Sequence, residues 1–410
     1  MAQIGWMDFS KAYRQKIGTI LDLMKPEGMV DELGIGTIRD AIANQIFPGI
    51  NTLQTRAKYF FIVPYILFDY LASDVKEKSK KTAAKYLKDQ EHEVMWYLAE
   101  YYKYQEGLGV IGITKKRNQP ILRRPSEIYW GGLNTFKIID SGGLGVDSYL
   151  NQVSQKSFSS LISKLKQGDD IEGDDIDAEF NNLFKININP EPNWFSGLTM
   201  DLSHSEADIL KDRIQNTVDD KLIGFLLSND RINQVFKKCN DFMTFSKLAF
   251  TIEDIPQHIR NDLLVAHDFS EFIYGAHIVY NFCLQKRYEK NYWMDEWHEW
   301  FGQLKQNMIQ FENFNPVVLF HPPYSLTTRI KTQQFIFHYW ELVRNNINNI
   351  EEFTKLIQMQ ESNVKINKAR LQLRKFDDVK EDKWIGLQRL DYRYNNAKSI
   401  LNDIFNQLDS

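Results

Sequence analysis

Histidine and carboxylate side chains gather between residues 258 and 277 of the sequence. His267 and Asp268 are adjacent, and Glu271 follows His267 by four residues, which places those two on one face of a helix. A His–Asp pair holds a divalent metal when further histidine and carboxylate ligands converge on it from other helices. The spacing does not show such convergence. The segment therefore indicates either a metal-dependent phosphohydrolase or the polar positions of an ordinary helix.

An acidic stretch near the end of the sequence could hold magnesium. Asp377 and Asp378 precede Glu381 and Lys383, and the last two form a Glu-x-Lys triplet. Nuclease chemistry needs such a triplet on a buried strand with another carboxylate opposite, so that oxygens hold the ion. The flanking residues are polar and typical of a solvated turn. A metal-dependent nuclease is therefore kept as an alternative, and we assign no metal ligand and no cofactor.

Two basic runs without acidic residues carry enough charge for several phosphate contacts. The first run consists of Lys115, Lys116, Arg117, Arg123 and Arg124. The second run consists of Lys365, Lys368, Arg370, Arg374 and Lys375. Basic runs are also common on solvated faces that bind nothing. Both runs are predicted to contact either DNA or a partner protein.

A helix-turn-helix-like segment is predicted over residues 31–72. A helix over 31–47 is followed by the turn PGIN, and the second helix is predicted to start at Asn51 or Thr52. In helix-turn-helix proteins the second helix enters the major groove, and its first residues contact bases and phosphates. Arg56 and Lys58 lie at such positions. Short helix pairs are frequent in α-helical proteins, so a protein-binding surface is an equal alternative.

Two adjacent aromatic residues, Tyr129 and Trp130, follow the first basic run. Aromatic rings beside basic side chains can stack on a nucleic-acid base or pack on a partner. Large rings also fill protein cores. Both interpretations of this pair are open on the sequence alone.

Helical periodicity dominates the elements that must position these residues. Apolar residues recur at helical spacing in most segments, and Ser203 with Glu206 has the spacing of a capping box at a helix start. Within residues 107–139, β-branched residues alternate near glycine, which predicts a small β wing near 108–124. The sequence therefore predicts a mainly α, multi-helical fold.

An acidic stretch divides the chain in this prediction. Residues 166–182 hold seven acidic residues and one lysine, and NPEPNW at 189–194 adds two prolines. A stretch with so many like charges cannot be buried. We therefore predict an N-terminal helical domain over 1–165, an acidic and proline-rich linker over 166–195, and a C-terminal helical domain over 196–410.

The composition of the 410 residues is that of an ordinary globular protein. Hydrophobic residues make up 43% and charged residues 25%, which excludes global disorder and a coiled-coil rod. The net charge of -4 gives no overall attraction to nucleic acid or membranes. The sequence contains two cysteines, no signal-peptide pattern at its start and no apolar run long enough for a membrane helix. We therefore expect a cytoplasmic protein with no membrane contact.

Several strings of the sequence resemble a bacterial protein family. They are GWMDFS at 5–10, VDELGIGTIRDAIANQIFPG at 30–49, NTLQTRAKYFFIVPYI at 51–66, GVIG at 109–112, RRPSEIYWGGLNTF at 123–136, EFIYGAHIVYN at 271–281 and LDYRYNNAKSILNDI at 390–404. The sequence is similar to the domain-of-unknown-function family six-three-six-one over nearly its whole length, except the acidic linker. No catalytic residues are established for that family, so none are carried over.

The resemblance implies a setting in bacterial phage-defence operons, often beside a protein that joins a phospholipase-D-like nuclease domain to a helicase. We therefore expect a non-catalytic component of an antiviral defence system that binds DNA, a nuclease–helicase partner, or both. The alternatives are a metal-dependent nuclease or phosphohydrolase, and an assembly scaffold without nucleic-acid contact.

Overall fold

The structure, a computed structural model, falls into two compact units. It describes residues 31–73, 81–115, 119, 121–152, 154, 185–284, 290–306, 314–324, 328–345, 349–371 and 384–409. The first unit combines residues 1–42 with 261–390, and the second combines 43–260 with 391–410. Each unit is thus assembled from segments that lie far apart in the sequence.

The described residues are mainly helical. In chain order, the helices are α1 (Gly36–Ile46), α2 (Tyr59–Ala72), α3 (Ala83–Tyr101), α4 (Pro125–Thr135), α5 (His204–Thr217), α6 (Leu222–Ser228), α7 (Asp230–Lys238), α8 (Phe242–Ala249), α9 (Gln257–Leu284), α10 (Lys290–Gln306), α11 (Ile330–Arg344), α12 (Ile350–Lys365) and α13 (Tyr394–Leu408). Two 3-10 helices cover Pro316–Phe320 and Ile366–Lys368, and strands β1 (Ile139–Asp140) and β2 (Lys185–Ile186) pair antiparallel. The predicted multi-helical, mainly α fold is confirmed.

Helix α2 forms the centre of the second unit. Its sequence, YFFIVPYILFDYLA, is apolar on every side, and most of its residues are buried. A helix that is apolar all round needs neighbours on several faces. The helices α3 and α4 both pack against α2. The apolar face of α13 packs on α5 in the same unit, which brings the end of the chain into this core.

Two local sequence features mark helix starts, and the first of them is the predicted capping box. Ser203 and Glu206 form the predicted capping box of α5: the Glu206 amide donates to Ser203 Oγ at 3.2 Å, and the Ser203 amide donates to Glu206 Oε2 at 2.7 Å. Pro125 occupies the first position of α4, where its missing N–H costs no hydrogen bond.

The second helix of the helix-turn-helix-like segment begins later than predicted. It starts at Tyr59, and the predicted start at Asn51 or Thr52 is wrong. The Asn51 side chain accepts hydrogen bonds from the amides of Leu53 at 2.9 Å and Gln54 at 3.2 Å. An asparagine that bonds its own following backbone stabilises a turn in competition with a helix. Arg56 therefore lies in an irregular segment that precedes α2.

The predicted β wing does not form in the part of it that the structure describes. Residues 107–115 form turns, bends and irregular backbone without a strand, and α4 begins directly after residues 121–124. Gly109 and Gly112 adopt φ angles of 78° and 76°, in the left-handed region that reverses the chain and interrupts a strand. The wing prediction is therefore wrong for these residues.

Aromatic rings connect the helices of the first unit. The Tyr339 ring of α11 lies 4.8 Å from the Phe272 ring of α9 and 5.6 Å from the Phe353 ring of α12, between centroids. The Trp297 ring of α10 lies 4.7 Å from Phe353. Edge-to-face contacts at such distances add to the free energy of burial. This aromatic cluster makes up the centre of the unit.

The predicted domain boundary differs from the division into units. Residues 1–165 and 196–410 were predicted as the two domains, whereas both units combine early and late segments. Residues 155–184, which include 166–184 of the predicted linker over 166–195, lie outside the described residues. The linker therefore stays a prediction.

Candidate macromolecule-binding site

Two carboxylates hold the Arg56 guanidinium group within the second unit. Its Nε lies 2.9 Å from Asp403 Oδ2, and its Nη2 lies 2.8 Å from Asp201 Oδ1. Its Nη1 donates to the Leu108 carbonyl oxygen at 3.2 Å. Burial lowers the pKa of Arg56, but the hydrogen bonds and charges of the two carboxylates outweigh burial and raise it overall. The guanidinium charge is therefore neutralised inside the protein.

The second basic residue of this segment, Lys58, is buried against α5. Its Nζ lies 2.6 Å from Glu206 Oε2, the same oxygen that caps α5 by accepting from the Ser203 amide. A charge paired at this distance in a buried setting is not exposed to a phosphate group. The structure thus uses both Arg56 and Lys58 to connect its own helices.

The two aromatic residues Tyr129 and Trp130 lie in the core. Tyr129 is fully buried, and its hydroxyl accepts from the backbone amides of Thr55 at 2.8 Å and Arg56 at 3.1 Å. Trp130 is 8% exposed and donates from Nε1 to the Leu144 carbonyl oxygen at 2.8 Å. The sequence left open whether these rings bind a ligand or fill the core. The structure places both rings in the core.

Arg124 is surrounded by carboxylates at the start of α4. Its Nη2 lies 2.8 Å from Glu127 Oε1 and 3.5 Å from Asp147 Oδ1, and its Nη1 lies 3.8 Å from Glu91 Oε2. Glu91 is fully buried in α3 and accepts from the Ser126 amide at 2.5 Å. Burial raises the pKa of Glu91 to about 7, although the bonds from Ser126 and the charge of Arg124 lower it.

Glu91→Gln tests this raised pKa. The folded protein holds the Glu91 proton more tightly than the unfolded chain, whose glutamate has a pKa near 4.5. Stability from this group is therefore highest below pH 4.5 and is lost as the pH rises through about 7. Glutamine does not ionise, so the unfolding free energy of the variant minus that of the wild type should rise by about 2–3 kcal/mol from about pH 5 to about pH 8. Urea unfolding at both pH values measures this difference, and a difference independent of pH would contradict it.

Lys115 and Arg123 are the exposed residues of the first basic run within the described part of the chain. Lys115 ends the turns that precede α4, and Arg123 lies two residues before Pro125. Lys116 and Arg117 lie outside the described residues. The exposed charge of this run thus stands at both ends of a short segment, residues 115–123, which we call the basic segment.

Buried and half-buried side chains hold the backbone on both sides of the basic segment. On the near side, the Tyr59 hydroxyl accepts from the Ile111 amide at 2.8 Å, and the Thr55 hydroxyl donates to the Gly109 carbonyl oxygen at 2.6 Å. On the far side, Glu91 accepts from the Ser126 amide. The ends of the basic segment are therefore held in place by the core of the second unit.

The second basic run lies in the first unit and is partly internal. Lys365 forms an ion pair with Glu32, and its Nζ lies 3.7 Å from Glu361 Oε1. The Arg370 amide donates to Glu361 Oε1 at 3.0 Å, while the Arg370 side chain is 45% exposed. Lys368 is exposed in the 3-10 helix after α12. The remaining two residues of this run, Arg374 and Lys375, lie outside the described residues.

Two buried carboxylates meet at one tyrosine in this cluster. The Tyr280 hydroxyl lies 3.0 Å from Glu32 Oε2 and 2.9 Å from Glu361 Oε1. Burial and then the charge of Glu361 raise the pKa of Tyr280, so the hydroxyl stays protonated and can donate. Glu361 also accepts from the Leu371 amide at 2.9 Å. The cluster thereby joins Tyr280 of α9 to Glu361 in the last turns of α12 and to Leu371, which follows that helix.

The histidine–carboxylate segment lies in α9. His267 Nδ1 lies 3.1 Å from Asp268 Oδ1, and Glu271 pairs with Arg389 at 2.9 Å. Within the described residues, no group of three histidine, cysteine, aspartate or glutamate side chains is arranged to hold a metal ion. The nuclease-like triplet segment, residues 377–383, lies outside the described part of the chain.

No helix among those described is both long enough and apolar enough to cross a membrane.

The helices and the site together define a multi-helical protein in which two exposed basic residues, Lys115 and Arg123, lie next to anchored backbone of the second unit. The chain belongs to a family of unknown function, DUF6361, whose model matches residues 1–291. This match confirms the family resemblance, and the string at 390–404 lies beyond the matched residues. No curated protein and no solved structure matches the chain.

Proposed function

We propose that this protein is a non-catalytic component of a bacterial antiviral defence system and that it contacts DNA through the basic segment. The defence setting is what the family resemblance implies. The observation that supports a contact here is that hydrogen bonds to the buried side chains of Tyr59 and Glu91 anchor the backbone on both sides of the exposed Lys115 and Arg123. The nuclease–helicase protein implied by the same resemblance is the alternative occupant of the segment.

Anchoring favours binding because it lowers the entropy that a contact must overcome. Backbone that is already held in place on both sides of Lys115 and Arg123 loses less freedom when these residues meet a ligand. Lysine and arginine side chains at fixed positions contact phosphate oxygens without reading the base sequence. Because the protein has a net charge of -4, such a contact is local and does not extend over the whole surface.

Reversing the exposed charges of the basic segment should weaken duplex binding. Each phosphate contact adds about one to the slope of log affinity against log salt. The double variant Lys115→Glu/Arg123→Glu is therefore expected to lower the slope by about two and the affinity by about tenfold or more. Fluorescence anisotropy with a labelled duplex over a salt series measures both quantities.

A matched control separates this segment from general charge effects. Lys85→Glu/Lys88→Glu reverses two exposed lysines of α3 in the same unit, and it should leave the salt slope nearly unchanged. If the Lys115→Glu/Arg123→Glu variant binds the duplex with the wild-type affinity and the full wild-type salt slope, the DNA proposal is contradicted. Loss of co-purification with the nuclease–helicase protein in that variant, without any duplex binding by the wild type, supports the alternative occupant.

A further inference from the structure

A row of aromatic rings runs from the core of the second unit to its surface. The Tyr65 ring lies 5.4 Å from Trp194, and Trp194 lies 5.7 Å from Phe195, between centroids. Phe195 lies 5.1 Å from Tyr97, which stacks on Tyr101 at 6.4 Å with 18° between the ring planes. The rings come from α2, α3 and the turn at 191–197, and together they form one continuous contact chain.

The outer end of this row is open to solvent. Tyr65 is buried, Tyr97 and Phe195 are half-buried, and Tyr101 is 53% exposed. Tyr104, in the turn after α3, is also 51% exposed. Exposed apolar area contributed by several neighbouring rings is typical of a binding surface, whereas single exposed rings are ordinary. We call Tyr97, Tyr101, Trp194 and Phe195 the aromatic surface.

Hydrogen bonds hold the two segments of the aromatic surface in place. Trp194 donates from Nε1 to Asp69 Oδ2 at 2.8 Å, which fixes its ring against α2. The Tyr102 hydroxyl accepts from the Met200 amide at 2.9 Å, and the Tyr102 ring packs edge-on against Tyr101. The surface is therefore preformed, and a ligand need not order it.

The charges around the aromatic surface favour a cationic ligand. Glu100 and Glu106 are exposed on either side of Tyr101 in the sequence, and Glu191 is exposed in the turn that carries Trp194. Lys103 is the one basic residue between residues 100 and 106. Three carboxylates against one ammonium group repel a phosphate backbone, which argues against single-stranded nucleic acid as the occupant.

We propose that the aromatic surface binds a basic, proline-rich segment of a partner protein. Proline-rich segments adopt an extended polyproline II helix before binding, and they dock on grooves lined by aromatic rings. Proline rings would pack against Tyr97, Tyr101 and Phe195, while arginine or lysine residues beside the prolines would pair with Glu100 and Glu191. This site shares no residue with the basic segment and does not depend on the DNA proposal.

Peptide binding to the full chain tests the aromatic surface. The probe is a fluorescein-labelled synthetic peptide with four prolines and two arginines, followed by anisotropy. Tyr101→Ala should weaken its binding about tenfold or more, because stacked rings supply much of such an interface. Tyr292→Ala is the matched control, since Tyr292 is 55% exposed in α10 of the other unit, and it should leave the affinity unchanged.

Charge reversal supplies a second, independent measurement. Glu100→Lys/Glu191→Lys should weaken the arginine-containing peptide about tenfold and strengthen a peptide in which glutamates replace the arginines. No binding of the basic peptide by the wild-type chain would overturn the proposal. Binding of an oligothymidine strand that Tyr101→Ala abolishes, in place of the peptide, would also overturn it and would assign the surface to nucleic acid.

Discussion

Asp403→Ala is expected to lower the free energy of unfolding by about 3–5 kcal/mol. The Asp403 carboxylate, whose side chain is 10% exposed, accepts both from Arg56 Nε and from the Ala57 amide, which donates to Oδ2 at 2.7 Å. Alanine leaves a guanidinium group that is only 20% exposed beside an unsatisfied amide. Asp201 and the Leu108 carbonyl still contact the guanidinium group, but Nε loses its acceptor and the charge loses its less exposed carboxylate partner without regaining full hydration.

Asp201→Ala is the matched control for that substitution. Asp201 binds the same guanidinium group at 2.8 Å, but its side chain is 64% exposed. Water replaces an exposed carboxylate at little cost, so the expected loss is about 1 kcal/mol or less. Urea unfolding of the two variants under the same conditions compares them. Equal losses would show that Asp403 does not act as a buried anchor.

Gly132→Ala is expected to destabilise the protein by about 1–3 kcal/mol or more. A Cβ atom at Gly132 would lie 2.5 Å from the Gly49 carbonyl oxygen and 2.7 Å from a carbon of the Phe60 ring. The carbonyl belongs to the backbone of the turn before α2, so it cannot move aside as a flexible side chain would. Helix α4 needs a glycine at this position to approach that turn.

Gly131→Ala on the same helix should act in the opposite direction. A Cβ atom at Gly131 has no atom within 4 Å, and alanine favours a helix over glycine by up to about 1 kcal/mol. Thermal unfolding of the two variants is therefore expected to move the midpoint down for Gly132→Ala and up for Gly131→Ala. A lower unfolding midpoint for both variants would contradict the expectation that alanine stabilises the helix at Gly131 and clashes only at Gly132.

Features that depend on neighbouring residues could be predicted from the sequence. The capping box at Ser203 and Glu206 satisfies backbone amides within one turn, so its spacing alone identifies the start of α5. Pro125 at the start of α4 is a signal of the same local kind. Apolar periodicity predicted the helical class for the same reason, because a helix repeats its environment every 3–4 residues.

Competition between two local signals caused the error at Asn51. Asparagine stabilises both the first turn of a helix and a tight turn of its own backbone. The structure contains the tight turn, with Asn51 bonded to Leu53 and Gln54, and the helix starts at Tyr59. Because the two conformations use the same side-chain oxygen, the local sequence does not distinguish between them. In the folded protein the tight turn forms, and the helix that follows it, α2, packs against α3 and α4.

The sequence by itself determined the helical class, the family and the position of every basic residue along the chain. The tertiary structure decided which of those charges face solvent: Arg56 is neutralised by Asp403, which lies 347 residues later, while Lys115 and Arg123 are exposed. Periodicity and spacing report only on neighbours within a few turns, whereas an ion pair depends on which distant segments the fold brings within about 4 Å. The availability of a charge for binding is therefore a property of the packed chain.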